Sequence, residues 1–349
     1  MVASSGALEE RLAFSLAHQV TAMSSVLFVG GTGQISLPCV EKAVAAGHDV
    51  SVFNRGQRDA ALPEGVESIV GDMRDPASYR AALAGRKFDV VAQFMVFTPE
   101  QLQLDLDVFA GNTGQYIFIS SASVYDKSNH YVVKEGVTPI NNPYWPYSQA
   151  KIACEKLLEG SRNLPWTIVR PSHTVRTGLP TMVGEGDVIP RRMLQGKPVV
   201  VAGDGATPWT LTRSVDFANP FVGLFGKERA IGEDFHITGD MAWTWTQIYK
   251  AIARGIGATA NIVCVPSDTM IRYKPDWIGP LWGDKSLASL FDNSKVKSVA
   301  GDFTCSTDLD EVLAEPIMHL KERLKQPEEP SEFTELLDRM TADQSALGS

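Results

Sequence analysis

The chain has 349 residues, of which 44% are hydrophobic and 21% charged, a composition typical of a globular enzyme with one large domain or two smaller ones. Its formal net charge of -9 argues against a nucleic-acid-binding surface, which usually needs clustered basic residues. The four cysteines lie far apart without a CxxC pair, so we expect reduced thiols in a cytoplasmic protein, with no disulfide framework and no metal site. No run is apolar enough to predict a membrane span.

Residues 1–24 do not fit the core of the predicted fold. Glu9, Glu10 and Arg11 precede a mixed segment that lacks the apolar centre of a secretory signal. We therefore interpret residues 1–24 as an N-terminal extension.

A strand, a glycine turn and a helix follow each other from residue 26 to residue 46. Val26 to Val29 form a short apolar run, and Gly30-x-x-Gly33-x-x-Ser36 follows directly. The helix that opens behind the turn brings unpaired backbone N–H groups to one point, where glycines leave room for a pyrophosphate. Ser36 stands where the dinucleotide-binding fingerprint usually has a third glycine.

Apolar segments alternate with helical patterns up to residue 170. The further predicted strands cover residues 48–55, 66–70, 88–94, 115–120 and 166–170. Helices are predicted around residues 37–46, 79–84, 98–109 and 147–158. This alternation predicts an α/β fold with a doubly wound parallel sheet, covered by helices on both faces, over residues 25–170.

Beyond residue 170 the glycines, prolines and tryptophans become frequent. Late strands are predicted at residues 235–237 and 262–265, with a helix at 245–255 between them. We expect residues 171–325 to form mainly a smaller substrate-binding lobe, interleaved with late elements of the parallel sheet. Residues 326–349 are predicted to be a polar tail with a short helix.

The residues with the clearest chemical pattern follow the fifth predicted strand. Ser121 and Ser123 lie at its carboxyl end, where parallel sheets bind ligands. Tyr147 and Lys151 are four residues apart, so they share one face of a helix. A lysine ammonium nearby favours the phenolate and lowers the pKa of a tyrosine, which allows it to act as a base. A serine hydroxyl can then hydrogen-bond the same substrate oxygen.

With these motifs in this order, the sequence resembles the extended short-chain dehydrogenases/reductases, in the branch of NAD-dependent epimerases/dehydratases. The resemblance runs from about residue 26 to about residue 313. It is carried by the glycine turn, Gly71-Asp72-Met73, the serine motif, Tyr147-x-x-x-Lys151, Ile189 to Asp204, Val215-Asp216, Gly283-Asp284 and Asp292 to Lys295. It implies a Rossmann fold and a nicotinamide cofactor, and it makes a homodimer through the Tyr-Lys helix a candidate.

The resemblance also implies roles for individual residues. Tyr147 would be the general acid/base, Lys151 its electrostatic tuner and a ribose ligand, and Ser121 the group that orients the substrate hydroxyl. The implied cofactor-binding residues are Gly30, Thr32, Gly33, Gln34, Ile35, Asn54, Arg55, Arg58, Asp72, Met73 and Phe94, together with Tyr147 and Lys151. The implied substrate-binding residues are Ser123, His173 and Arg213.

One departure from the family concerns the cofactor. At the end of the second strand, where NAD users have an aspartate for the adenosine ribose, this chain has Asn54 followed by Arg55, with Arg58 nearby. Loss of the carboxylate removes repulsion of a 2′-phosphate, and an arginine can pair with it. The cofactor is therefore predicted as NAD(P), with NADP favoured.

A second departure concerns the substrate. Relatives that bind nucleotide diphosphate sugars use two arginines, and Thr210 and a residue near Trp282 stand at those positions here. The tryptophans at 209, 243, 245 and 282 suggest a flatter, more apolar pocket for a sugar or another ring-bearing alcohol, with core packing as the alternative explanation.

The sequence thus predicts an NAD(P)-dependent epimerase or oxidoreductase that transfers a hydride at a carbinol or ketone carbon of a sugar-like small molecule. Three alternatives stay open: a UDP-sugar epimerase, an RNA-binding relative without turnover, and a regulator that binds the dinucleotide without converting it. The intact Ser121, Tyr147 and Lys151 argue against the last two.

Overall fold

A computed structural model describes residues 23–57, 62–184, 187–327 and 331–347. The strands are β1 (Ser25–Val29), β2 (Asp49–Asn54), β3 (Glu67–Val70), β4 (Phe88–Gln93), β5 (Thr113–Ile119), β6 (Trp166–Pro171), β7 (His173–Val175), β8 (Val199–Ala202), β9 (Pro208–Arg213), β10 (Glu233–Ile237), β11 (Ala242–Thr244) and β12 (Ile262–Val265). The helices are α1 (Ser36–Ala45), α2 (Pro76–Leu83), α3 (Pro99–Phe109), α4 (Pro146–Glu159), α5 (Val188–Leu194), α6 (Ser214–Gly223), α7 (Trp245–Gly255), α8 (Ser267–Tyr273), α9 (Ser294–Ala300), α10 (Leu309–Arg323) and α11 (Glu332–Leu347). Most of the predicted N-terminal extension, and Arg58, lie outside the described residues.

A seven-stranded sheet forms the centre of the molecule. Its order is β10-β6-β5-β4-β1-β2-β3, and every neighbouring pair is parallel. The strands are apolar on both faces because helices cover both, and Val26, Leu27, Phe28 and Val29 of β1 are fully buried. The predicted doubly wound fold is therefore confirmed.

The order of the strands determines where a ligand can bind. β1 pairs with β2 on one side and with β4 on the other, so the chain reverses its direction of winding next to β1. A crevice forms at such a switch point, outside the carboxyl ends of the strands. The glycine turn and α1 begin directly there.

The second lobe is built from short strands and tryptophan-rich packing. β11, β9 and β7 form a three-stranded sheet, β12 and β8 a two-stranded one, and Trp209 and Trp245 are buried in the core between them. The sequence did not predict β7, β8, β9 or β11, because they lie in a segment rich in glycine and proline, without the regular alternation of strands and helices seen before residue 170. β10 returns to the central sheet, as the predicted interleaving requires.

The polar-tail prediction needs a correction. Residues 332–347 form the 16-residue helix α11, with Leu337 and Met340 buried against the second lobe. Asp338 of this helix pairs with the buried Arg192 at 2.6 Å. The few apolar residues of this segment lie on one face, which a mainly polar composition conceals. In the described parts of the chain, no helix combines the length and apolar character needed to cross a membrane.

Candidate active site

A cavity of about 350 Å³ opens at the carboxyl ends of β1, β2 and β4. Its lining includes Gly30, Thr32, Gly33, Asn54, Arg55, Asp72 and Met73, all predicted cofactor ligands, and also Arg74, Met95, Phe97 and Gln101. The structure thus brings together segments that are far apart in the sequence, from Gly30 to Gln101. We call this cavity the cofactor pocket.

The glycine turn is shaped for a close approach. Gly30 has a φ of 88°, which strains any other residue, and a Cβ there would lie 2.4 Å from Cγ of Met95, so a substitution would also displace that side chain. Ser36 accounts for the missing third glycine: its hydroxyl donates to the carbonyl of Gly30 at 2.6 Å and accepts from the N–H of Gly33 at 2.9 Å. The serine therefore fixes the turn that the glycines permit.

The turn leaves donors for a phosphate. Within the described residues, no group accepts from the backbone N–H of Gln34 or Ile35, at the start of α1. The positive end of the helix dipole lies at the same point. This arrangement fits a dinucleotide pyrophosphate. The side chain of Ile35 packs into the core, so it is the backbone of this residue that faces the proposed phosphate site.

The side chain of Gln34 points elsewhere. Its amide donates to the carbonyl of Thr174 at 2.8 Å and accepts from the N–H of Gly178 at 3.0 Å. Gln34 thus joins the glycine turn to the segment that enters the second lobe.

Two arginines line the cofactor pocket, close to the ends of β2 and β3. Arg74 forms a bidentate pair with Asp72, with the closest atoms 2.7 Å apart, and holds the pKa of that carboxyl at about 2. Arg55 has no hydrogen-bond acceptor among the described residues, and the side chain of Asn54 accepts from the N–H of Gly56. The sequence analysis missed Arg74, which is two residues from Asp72.

The prediction for Phe94 needs a correction. Its ring packs on Phe28 and Phe221, with centroids 6.2 and 5.6 Å away, on the side of the sheet opposite to the cofactor pocket. Met95 and Phe97 line the pocket in its place. The side chains alternate where the chain leaves β4, so the family's Phe position faces the core.

A second cavity, of about 330 Å³, contains the predicted catalytic serine and tyrosine. Ser121, Ser123 and Tyr147 line it together with His173, which was predicted to bind substrate. Four further lining residues were not predicted as site residues: Trp145, Ser172, Asp284 and Lys285. Of the four tryptophans suggested for the substrate pocket, only Trp209 lines this cavity. We call this the substrate cavity.

The hydroxyls in the substrate cavity form a chain. Ser121 Oγ lies 2.9 Å from Ser123 Oγ, which lies 2.7 Å from Ser148 Oγ. A hydrogen bond from Ser121 also favours the phenolate of Tyr147. The hydroxyl of Ser121 is therefore positioned by a neighbour on each side.

Lys151 lines neither cavity, but it is buried next to a lining residue of each. Its ammonium donates to the carbonyls of Val96 and Ile119 at 2.6 and 2.8 Å. It also lies 4.7 Å from the ring centroid of Phe97, in the cofactor pocket, and 5.9 Å from that of Tyr147. The two carbonyl bonds leave one of its three N–H groups for a ligand.

The pKa of Tyr147 does not follow the sequence-based expectation. Burial and the charge of Asp284 raise the pKa of Tyr147, although the hydrogen bond from Ser121 lowers it. Burial likewise lowers the pKa of Lys151 to about 8, which weakens its electrostatic effect. Spacing along a helix places the two groups together but says nothing of burial, and burial dominates here.

His173 is a neutral wall of the substrate cavity. Its Nδ1 accepts a hydrogen bond from the indole of Trp209 at 3.0 Å, so Nε2 carries the ring proton. Burial, with a contribution from Lys285, lowers the pKa of His173 to about 3. The ring offers a donor to a ligand and no charge.

A buried ion pair joins Asp284, in the lining of the substrate cavity, to Lys127, which is not a lining residue. Lys127 is almost inaccessible and lies 2.5 Å from the carboxylate of Asp284, and its ammonium sits 4.8 Å from the ring of Trp209. Lys285, the next residue, donates to the carbonyl of Thr181 at 2.9 Å. The segment Leu281–Lys285 therefore contributes both charges of the cavity lining.

Arg213 is not brought to the substrate cavity. Its guanidinium pairs with Asp216 at 2.8 Å and with Glu311, so it links β9 to α6 and α10. The prediction that it binds substrate is thus not supported by its position, because nearby carboxylates already occupy the guanidinium.

The comparisons with known proteins agree with this geometry. Residues 30–187 match a family of NAD(P)H-binding domains. This match indicates an NAD(P)-binding domain in the part of the chain that carries the glycine turn and most of the parallel sheet, as the sequence motifs predicted.

Two curated proteins are related to the chain. It is 26% identical over 252 residues to the 2′-dehydrokanamycin reductase of Streptomyces kanamyceticus, and the aligned region covers 70% of each chain. It is 28% identical over 265 residues to the chloroplast stem-loop binding protein of 41 kDa b of Arabidopsis thaliana, which covers 72% of this chain and 66% of that protein.

Solved structures share the fold. The epimerase Mth375 of Methanothermobacter thermautotrophicus has a TM-score of 0.70 at 18% identity, over 87% of this chain and 94% of its own. The UDP-glucuronic acid 4-epimerase of Bacillus cereus, solved with UDP-glucuronic acid and NAD, has a TM-score of 0.67 at 18% identity, over 85% and 99%.

Proposed function

We propose that this protein is an NAD(P)-dependent oxidoreductase that interconverts a secondary alcohol and a ketone on a small, sugar-like ring. The position of Lys151 carries the proposal, because it is next to Phe97 of the cofactor pocket and next to Tyr147 of the substrate cavity. A residue in that place can contact a cofactor ribose and the proton-transferring tyrosine at once.

The chain's own residues would handle the proton. Bound NAD(P) would supply or accept the hydride at nicotinamide C4. In the reducing direction, Tyr147 Oη gives its proton to the ketone oxygen, and Ser121 Oγ donates a hydrogen bond to the same atom. The raised pKa of Tyr147 keeps it protonated at neutral pH, which suits this direction.

The positions of Thr210 and Trp282 disfavour a UDP-sugar as substrate. Thr210 is buried and donates to the carbonyl of Ser289 at 2.6 Å, and the indole of Trp282 donates to Asp268 at 2.9 Å. Neither side chain is free for a diphosphate, whose buried charges need compensation. Calorimetric titration of the cofactor-bound protein with UDP-glucose and UDP-galactose tests this, and micromolar affinity would restore a UDP-sugar epimerase.

The main test is turnover. The purified protein is mixed with NADP or NAD and a panel of cyclic polyols and glycosides, and absorbance at the nicotinamide wavelength is followed. Net reduction of the cofactor is expected for an oxidoreductase. An epimerase would instead convert the substrate without net absorbance change, which chromatography of the products detects. No conversion of any alcohol or ketone with either cofactor would refute the proposal.

RNA binding is the second candidate, and the stem-loop binding relative from Arabidopsis thaliana supports it. The acidic net charge of -9 works against it, since phosphate contacts dominate RNA affinity. A gel-shift assay with a stem-loop RNA, run at two salt concentrations beside the turnover assay, separates the two functions.

A further inference from the structure

We propose that the substrate carries one carboxylate and that Lys285 binds it. This inference rests on the proposed function and specifies its substrate class: a ring-bearing alcohol such as a uronic acid or its glycoside. Lys285 would be a specificity-determining residue, separate from the proton-transferring Tyr147.

The charges on the cavity wall are unequal. Asp284 lines the substrate cavity, but Lys127 already neutralises it at 2.5 Å. Lys285 also lines the cavity, and among the described residues no carboxylate comes within 4.0 Å of its ammonium. These three residues therefore leave a net charge of about +1 facing the ligand, since a Lys–Asp pair cancels.

The hydrogen bonds of Lys285 leave room for a ligand. One N–H donates to the carbonyl of Thr181, and an ammonium has three donors. Burial lowers the pKa of Lys285, and the charge of Asp284, which is already paired with Lys127, offsets this only in part. A substrate carboxylate would supply that anion, whereas a substrate ammonium would be repelled.

The remaining lining groups are neutral. His173 is uncharged and offers only Nε2–H, the serines offer hydroxyls, and Trp145 and Trp209 provide flat apolar walls. One ammonium matches one negative charge, not the two of a diphosphate. A volume of about 330 Å³ is at the small end for ligand cavities and suits a single sugar ring.

The test compares three ligands that differ only at one ring substituent. Methyl β-glucopyranoside, methyl β-glucuronide and methyl 6-amino-6-deoxy-β-glucopyranoside, which differ at C6, and the corresponding galactosides, are titrated calorimetrically into the protein with NADP bound. We expect each uronide to bind at least about tenfold more tightly than its neutral counterpart, as for a charge-assisted hydrogen bond. We expect the amino sugars to bind most weakly.

Variants assign the preference to one side chain. Lys285→Met keeps the length and removes the charge, so it should abolish the preference for the uronide, and Lys285→Arg should retain most of it. Glu185, which lies outside the described residues, provides the control Glu185→Gln, for which we expect less than about threefold change. A tenfold gain of uronide affinity in that variant would show that Glu185 already neutralises Lys285, and would overturn the proposal.

Other outcomes are equally decisive. Equal binding of the three ligands, tighter binding of the amino sugars, a preference that survives Lys285→Met, or no binding of either uronide would each overturn the carboxylate site. If neutral glycosides are converted as fast as uronides, the hydride-transfer function stands and this inference fails. If uronides bind through Lys285 but no alcohol is converted, the carboxylate site stands and the proposed hydride-transfer function fails.

Discussion

The two arginines of the cofactor pocket lead to a prediction about NADP and NAD. Arg55 and Arg74 both line the pocket beside Asn54, which stands where the sequence resemblance places the carboxylate of NAD users. We expect Arg55→Ala and Arg74→Ala to weaken NADP binding while leaving NAD binding nearly unchanged or improved. The reason is that only NADP carries the 2′-phosphate.

The size of the effect follows from exposure. A hydrogen bond to a charged group contributes about 1.5–3 kcal/mol when water is excluded, but exposed ion pairs contribute less. Arg55 is exposed and the side chain of Arg74 is 68% exposed, so the lower end applies. This corresponds to about tenfold in Kd for each arginine.

Arg74→Ala should have the larger effect on the ratio of the two affinities. Arg74 holds the pKa of Asp72 at about 2 through a bidentate pair. Without this partner the carboxylate of Asp72 is free to repel a 2′-phosphate and to accept from the ribose hydroxyls of NAD. The variant therefore loses a cation and gains a competing anion at the same place.

Fluorescence titration of NADPH and NADH into each variant measures these affinities. Arg80→Ala is the matched control, because Arg80 is a half-exposed arginine paired with Asp107 outside the lining of the pocket. The loss for NADP should shrink between 0.05 and 0.5 M salt, as screening of exposed charges requires. Parallel changes for the two cofactors, or an equal loss in Arg80→Ala, would refute the reasoning.

Three further predictions concern catalysis and stability. Tyr147→Phe should lower turnover about 10²- to 10⁴-fold with little change in cofactor Kd, and retained activity would contradict its assignment. Tyr116→Phe should destabilise the fold by about 1–3 kcal/mol at pH 7.5 in urea unfolding, and by less at pH 5. The substitution removes the hydroxyl that donates to the carboxylate of buried Asp105 at 2.6 Å, and the pKa of Asp105 is raised to about 6. Between about pH 4 and 6 the carboxyl of Asp105 is protonated in the folded state but ionised in the unfolded state, so the hydroxyl of Tyr116 contributes most above this window. Equal losses of stability at both pH values would contradict this explanation. Truncation after residue 327 should lower the urea midpoint because Leu337 and Met340 no longer cover the second lobe, while cofactor Kd stays constant; an unchanged midpoint would show that α11 does not contribute.

Local patterns predicted the parallel sheet well. The first six strands and their helices were found because each has a continuous apolar run or a helical repeat of its own. β7, β8, β9 and β11 were not, because they lie in a segment rich in glycine and proline, where their pairing partners are set by tertiary folding and no regular strand–helix alternation marks them. The apolar face of α11 was likewise hidden by a polar composition.

The candidate site was predictable only where a motif carries it. Ser121, Tyr147 and the glycine turn belong to motifs, and the structure places them on cavity walls. Lys285 and Trp145 are not part of a common sequence motif. They are 140 positions apart, and only tertiary folding brings them to one cavity. The raised pKa of Tyr147 was also out of reach, since it depends on burial.

The glycine turn and the substrate cavity are mechanically connected, although their cavities are lined by different residues. Gln34 lies in the turn, where its backbone N–H faces the predicted phosphate site, and its side chain binds the carbonyl of Thr174. Thr174 follows His173, which lines the substrate cavity and is held by Trp209. A pyrophosphate that contacts the turn would therefore be linked through Gln34 to the strand that carries His173. Cofactor binding is thus expected to precede productive substrate binding, because the wall of the second cavity depends on the geometry of the first.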